Sequence, residues 1–112
     1  MFRSTSSEEG EAVARRLTIM RLKGDPEELL QTKQQKLDPV AQPKAREYGG
    51  ISQAVAKTSH GLLMVNLWES EEGSDAMRQD SELDQMLRES MMQVADGPPE
   101  VEHYELVAYN TP

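Results

Sequence analysis

Residues 62–72 read Leu-Leu-Met-Val-Asn-Leu-Trp-Glu-Ser-Glu-Glu, and this stretch decides the fold. Its first part is apolar except for Asn66 and ends at Trp68, and a short apolar run of this kind is typical of a buried β-strand. Ser70 then offers a side-chain oxygen that caps a helix, and the two glutamates after it place negative charge at the positive end of the helix dipole. The stretch therefore predicts a strand that leads directly into a helix.

Similar signals extend outward in both directions. Asp25 followed by Pro26 marks the start of a first helix, and Gly97-Pro98-Pro99 ends the second one. Within the first helix, Asp38-Pro39 and Gln42-Pro43 predict a kink or a restart, because proline cannot donate to the helical ladder. The predicted elements are strand one from Ala14 to Lys23, helix one from Pro26 to about Glu47, strand two from Ile51 to Thr58, strand three from Leu62 to Trp68, helix two from Glu71 to before Gly97, with a break at Asp80-Ser81, and strand four from Val101 to Tyr109.

This order predicts an α+β fold of the ferredoxin-like βαββαβ type, with a four-stranded antiparallel sheet and two helices on one face. Residues 13–110 form a single domain in this interpretation. Residues 1–12 are rich in Ser, Glu and Gly with little apolar content, so we expect them to be a flexible N-terminal tail.

The sheet is expected to be apolar on both faces. In strand one, Leu17 and Ile19 point one way while Met20 and Leu22 point the other, and strand three alternates in the same manner. Two helices can cover only one face, and an exposed apolar sheet face is larger than monomers usually tolerate. The sequence therefore predicts a homodimer formed through the sheet face opposite the helices.

Composition narrows the classes of function. The 112 residues include 20 acidic and 12 basic side chains and no cysteine, for a net charge of −8. Nucleic-acid binding is disfavoured because it depends on clustered positive charge. Disulfides and Cys-based zinc sites are excluded, and His60 and His103 alone are a poor ligand set, so we expect no metal and no cofactor. Without a long apolar run or a signal-peptide pattern, we expect a cytoplasmic protein with no membrane partner.

The corner Leu67-Trp68-Glu69-Ser70-Glu71-Glu72 and the order of elements together resemble the antibiotic biosynthesis monooxygenase-like dimeric α+β barrels. The resemblance covers about Val13 to Tyr109. It implies a homodimer of ferredoxin-like protomers with a small-molecule pocket between each sheet and its own helices. Members of this superfamily include cofactor-independent monooxygenases acting on polyketide-type aromatics, haem-degrading enzymes and domains without assigned chemistry.

The haem-degrading branch fits this sequence poorly. Those enzymes share an Asn on strand one, a Trp at the end of strand three and an iron-ligating His on helix two. The corresponding positions here fall at Leu17 and near Met77 and Arg78, and only Trp68 matches. Haem degradation therefore ranks third, behind the two functional hypotheses that are given at the end of this section.

The resemblance to the oxygenase branch makes Asn66 and Trp68 the candidate catalytic residues. They lie two positions apart on strand three and so share a face, which the resemblance makes the pocket face. We expect Arg21 to face the same cavity, where an arginine, an amide and an indole can bind an enolate or carboxylate. Packing alone is the alternative role for Trp68, a backbone partner is the alternative for Asn66, and simple solvation is the alternative for Arg21.

Three further residues complete the predicted substrate-binding set. His103 on strand four has an unperturbed pKa near 6.5 and can serve as a general base, although a surface histidine beside acidic neighbours is the plainer interpretation. Tyr48, at the exit of helix one, can overhang a pocket mouth or pack the helix end. Met64, on strand three, shares a face with Asn66. Tyr104 and Tyr109 are candidates for the dimer contact.

Two functions from different classes remain open. The first is a cofactor-independent monooxygenase acting on a hydrophobic, polyoxygenated substrate of the polyketide or quinol type. The second is a non-catalytic dimeric binding module, or a stress- or pathway-associated domain, with a small or filled pocket. Fold cannot choose between them, because one architecture hosts many chemistries.

Overall fold

The computed structural model describes residues 15–110. The predicted flexible tail, residues 1–12, lies outside the described residues. The four strands form one antiparallel sheet in the order β2-β3-β1-β4, which confirms the ferredoxin-like arrangement. Their bounds are β1 Arg16–Lys23, β2 Gly50–Lys57, β3 Gly61–Trp68 and β4 Glu100–Glu105.

The first helical segment is interrupted, as the prolines predict, but the interruption begins before them. Helix α1 spans Pro26–Thr32 and is followed by a π-helical turn, Lys33–Leu37, and then by α2, Asp38–Glu47. The restart at Asp38 places Pro39 in the first turn of α2, where its missing N–H costs little. Pro43 lies inside α2 without ending it.

The second helical segment consists of three short helices. Helix α3 spans Glu71–Arg78, α4 spans Ser81–Glu89 and α5 spans Met91–Val94. Ser70 caps α3 by accepting a hydrogen bond from the Gly73 amide at 3.0 Å, as the sequence predicts. The predicted break at Asp80 is also confirmed, and Asp80 caps α4 through the Leu83 amide at 2.9 Å. Among the helices of residues 15–110, none is both long and apolar enough to cross a bilayer.

The helices pack on one face of the sheet and form the core there. Pairing of β1 with β3 sets Leu22 opposite Leu62 and Met20 opposite Met64 on this face. The core joins these strand residues to side chains from both helical segments: Leu29, Leu37, Leu83 and Met91. The apolar side chains on the other face of β1 and β3 are Leu17, Ile19, Leu63, Val65 and Leu67. Both faces of the sheet are therefore apolar at their centre, as predicted.

Candidate functional site

A row of polar side chains crosses all four strands on the helix-facing side of the sheet. In the observed register, Gln53 on β2 pairs with Asn66 on β3, Asn66 pairs with Thr18 on β1, and Thr18 pairs with His103 on β4. Paired residues of antiparallel strands lie on the same face, so these four side chains form one line. Adjacent strands lie about 5 Å apart, which separates Asn66 from His103 by roughly 10 Å across Thr18.

The rows on either side of this polar row differ in character. One neighbouring row is apolar and leads into the core: Val55, Met64, Met20 and Val101. The other neighbouring row lies toward α3 and contains Gly50, Trp68, Arg16 and Glu105. The polar row therefore marks the boundary between the packed core and a more polar end of the helix-facing side.

A buried lysine from the π-helical turn reaches this row. Lys33 is 3% exposed, and its Nζ donates to Asp38 Oδ1 at 2.7 Å and to Gln53 Oε1 at 2.9 Å. Sequence reasoning missed Lys33 as a functional residue, although a signal was present. Lys33 lies midway between the buried Leu29 and Leu37 at a spacing of four, which places it on the inward stripe of the helix.

Asn66 receives a hydrogen bond from the neighbouring strand. Gln53 Nε2 donates to Asn66 Oδ1 at 2.7 Å. The hydrogen bonds found within the described part of the chain leave the Nδ2 group of Asn66 without a protein acceptor. This amide therefore holds two N–H donors that a ligand can use.

Trp68 offers another unused donor beside Asn66. Its side chain is 8% exposed, and its indole Nε1 is buried with no hydrogen-bond partner among residues 15–110. A buried donor left unpaired costs about 1–3 kcal/mol, so native proteins seldom keep one without a reason. An acceptor oxygen on a bound ligand would satisfy it.

The prediction that Arg21 lies on the same side of the sheet as Asn66 and Trp68 is wrong. Arg21 pairs with Leu63 and lies on the opposite face of the sheet, where its guanidinium contacts Glu102 at 3.0 Å. Arg16 is the arginine on the helix-facing side, and its Nη1 donates to Asp75 Oδ1 at 2.6 Å. The Arg16 bond is the main cause of the lowered pKa of Asp75.

His103 is joined to the middle of the row. Its Nδ1 lies 3.0 Å from Oγ1 of Thr18, which is itself buried. Desolvation, reinforced by the positive charges of Arg16 and Arg78, lowers the pKa of His103 below its ordinary value. In the neutral tautomer whose Nδ1–H donates to Thr18, the Nε2 lone pair is available to accept a proton.

The lowered pKa of His103 makes a prediction about pH. Protonation of His103 is less favourable in the folded chain than in the unfolded one, so the contribution to stability is lost as pH falls from about 6.5 through the lower folded value. Proton NMR of the imidazole should therefore give a titration midpoint below that of the same residue in the urea-unfolded chain. A folded midpoint equal to or above the unfolded one would contradict this placement.

The two remaining predicted residues lie outside the polar row. Met64 is buried in the core, 3% exposed, one row away from Asn66. Tyr48 follows α2, and its hydroxyl donates to Asp80 Oδ2 at 2.7 Å, with Lys44 Nζ at 3.0 Å from the same oxygen. These contacts raise the pKa of Tyr48 and hold that of Asp80 well below its usual range. Tyr48 thus ties the end of α2 to the start of α4.

Two other features of the described residues do not enlarge the site. No group of three or more His, Asp or Glu side chains within 15–110 is arranged to hold a metal ion. A cleft of about 180 Å³ lies at the far end of the sheet, next to Leu22, His60 and Leu62. This cleft is lined by neither Asn66 nor Trp68.

Comparison with known proteins identifies the fold through solved structures. Neither a protein-family model nor a curated protein sequence matches the chain. A monooxygenase of Streptomyces coelicolor, solved in complex with the ligand nanaomycin D, is 19% identical, with a TM-score of 0.64 over 93% of this chain and 98% of that one. A dimeric ferredoxin-like protein from an uncultured marine organism is 15% identical, with a TM-score of 0.68 over 94% and 97%.

A third similar structure is that of a protein from Caulobacter crescentus, which has been assigned provisionally as an antibiotic biosynthesis monooxygenase. It is 18% identical, with a TM-score of 0.67 over 86% of this chain and 92% of that one. The chain is therefore a ferredoxin-like α+β protein. Within that class, it has the fold of the antibiotic biosynthesis monooxygenase-like proteins.

Proposed function

We propose that this protein is a cofactor-independent monooxygenase that acts on a hydrophobic, polyoxygenated aromatic of the quinol or anthrone type. The observation that carries the proposal is the buried indole N–H of Trp68, which has no partner among residues 15–110 and lies on the same face of β3 as Asn66, whose amide N–H groups also lack an acceptor there. Donors held in place around a position where negative charge develops stabilise an oxyanion. An aromatic substrate that ionises to a phenolate or enolate would supply that charge.

The polar row also contains a candidate base, His103, at a suitable distance from the N–H donors of Asn66 and Trp68. The lowered pKa of His103 favours its neutral, proton-accepting form, and the residue lies roughly 10 Å from Asn66 across Thr18. A fused-ring substrate spans such a gap with its oxygen toward Asn66 and Trp68 and its acidic C–H or O–H toward His103. Base and oxyanion donors then act on opposite ends of one molecule.

The reaction balances without a resident cofactor. His103 removes a proton from the methylene carbon of an anthrone, and the electron pair moves into the ring system as an enolate held by Asn66 and Trp68. The enolate carbon reduces dioxygen and forms a C–O bond, the resulting peroxide anion takes the proton back from His103, and loss of one water from this hydroperoxide gives the quinone. One anthrone and one dioxygen thus yield one quinone and one water. The similar Streptomyces monooxygenase was solved in complex with nanaomycin D, and this supports a small-molecule ligand for the present chain as well.

Dioxygen uptake tests this function. With 1,8-dihydroxyanthrone, the protein should consume one dioxygen for each quinone formed, at a rate well above that of the anthrone alone in the same buffer. A rate equal to spontaneous oxidation at every protein concentration would contradict the proposal.

A specific observation favours the second candidate, a non-catalytic binding module. Oδ1 of Asn66 is already engaged by Gln53, and Met64 belongs to the core rather than to an open cavity. A binding module would take up the same aromatic ligand beside Trp68 but would not accelerate its oxidation. Ligand binding combined with an oxidation rate equal to the background therefore distinguishes this candidate.

The oligomeric state proposed with either function is a homodimer through the sheet face opposite the helices. Ile19 and Val65 pair at the centre of this face, and Tyr104, which is 52% exposed, lies at its β4 side. The helical core forms on the other face. A second copy of the chain, related by twofold symmetry, would cover the apolar face with an identical one.

A further inference from the structure

We propose that Lys33, acting through Gln53, is a positioning residue that fixes the side-chain amide of Asn66 with its N–H donors turned toward the ligand site. The inference deepens the proposed function, on which its consequence for ligand binding rests. The orientation of the amide itself follows from the polarity of the hydrogen bonds alone.

The hydrogen bonds that run from Lys33 through Gln53 to Asn66 form a relay, and the direction of this relay is set at its buried end, Lys33. An ammonium group donates hydrogen bonds and cannot accept them. Because Nζ of Lys33 lies 2.9 Å from the Gln53 side chain, Gln53 must present its carbonyl oxygen to Lys33. The NH₂ group of Gln53 is then turned the other way, where it donates to Asn66 at 2.7 Å. Asn66 must accept through Oδ1, and this leaves its own NH₂ group facing away from β2.

Burial makes the starting point of this relay rigid. Lys33 is 3% exposed and is held by the Asp38 carboxylate at 2.7 Å. A charge-assisted bond of this length in a site that excludes water is stronger than a neutral one. Lys33 opens the π-helical turn, and turns of this kind occur often at functional sites.

The relay also selects the chemistry of the ligand. With the Asn66 NH₂ group and the Trp68 indole N–H both presented as donors, the site recognises an anionic or carbonyl oxygen. The opposite orientation of Asn66 would present its carbonyl oxygen, in place of two donors, to a ligand oxygen. Lys33 therefore acts on specificity without contacting the ligand.

Gln53→Glu reverses the relay and tests it. A carboxylate still accepts from Lys33 but cannot donate, so Asn66 should turn its NH₂ group toward residue 53. Gln53 is exposed on an edge strand, which leaves the core intact. We expect slower exchange of the Asn66 side-chain NH₂ protons with water by NMR, and about tenfold weaker binding of the anion of 2-hydroxy-1,4-naphthoquinone. Gln31→Glu, an identical change at an exposed position of α1, should alter neither.

The two measurements separate the relay from the proposed function. Unchanged NH₂ signals for Asn66 in Gln53→Glu would overturn the relay, whatever the affinity. Changed NH₂ signals with unchanged affinity would support the relay and overturn the placement of the ligand site at Asn66. Changed signals together with weaker binding support both.

Discussion

Asn66→Ala should lower the rate of anthrone-dependent dioxygen uptake by a factor of about 10²–10³, the usual effect of removing one oxyanion donor. Asn66 provides two N–H donors without a protein acceptor in the described structure, beside the buried Trp68 indole. These donors matter most when the substrate carries negative charge, so kcat should fall more than KM rises. Steady-state dioxygen uptake at a fixed pH checks the prediction.

The chain contains a matched control for this change. Asn110 is the only other asparagine, and it is exposed beyond β4. Asn110→Ala should retain the wild-type rate and melting temperature. Asn66→Ala should also stay folded, because the hydrogen bond that it loses is with the exposed Gln53. A folded Asn66→Ala protein with an unchanged rate of dioxygen uptake would show that Asn66 takes no part in the reaction.

Val65→Lys should convert the proposed homodimer into a monomer. Val65 pairs with Ile19 on the apolar face opposite the helices, so the substitution buries an unpaired ammonium in the interface. An unpaired buried charge costs several kcal/mol, and a twofold-symmetric dimer incurs it twice. We expect the dimer dissociation constant to rise by about 10³ or more. Sedimentation equilibrium at micromolar concentration should show about 25 kDa for the wild type, twice the 12.6 kDa of the chain, and a single-chain mass for the variant.

A valine-to-lysine substitution on the helix-facing side of the sheet is the control for Val65→Lys. Val55→Lys places a lysine on β2 at a helix-facing position that is 38% exposed, and it should leave the dimer intact. A wild-type protein that sediments as a monomer at micromolar concentration would contradict the dimer. Dissociation by both substitutions would point to general destabilisation rather than to an interface.

The order of elements was predictable because its signals are local. Ser70 and Asp80 each cap a helix with the side chain, and Pro26 starts α1 through its ring, although the Asp25 side chain makes no capping hydrogen bond there. Alternation within β1 correctly set Leu17 and Ile19 opposite to Met20 and Leu22, but the side shared with Arg21 was wrongly taken as the helix-facing one. The ends of the first three strands followed approximately from glycine and proline, but β4 ends at Glu105, four residues before the predicted end at Tyr109, where no such residue marks the end.

The composition of the site was less predictable because it depends on register between strands. Alternation tells which residues of one strand share a face, but not which face of the neighbouring strand they join, and a slip of one residue inverts the answer. Arg21 was therefore assigned to the wrong face, and Arg16 was missed. Lys33 was missed because lysine is rarely buried, although its spacing from Leu29 indicated an inward position.

The most direct measurement is the NMR response of the Trp68 indole N–H to an anionic aromatic ligand. Trp68 is the only tryptophan, so the ¹H–¹⁵N spectrum contains a single indole signal. Addition of 2-hydroxy-1,4-naphthoquinone at neutral pH should shift this signal downfield in a saturable manner, because the buried indole N–H, which has no partner among residues 15–110, donates to the ligand oxygen. An indole signal that stays in place while the ligand saturates the protein would show that Trp68 is not part of a binding site.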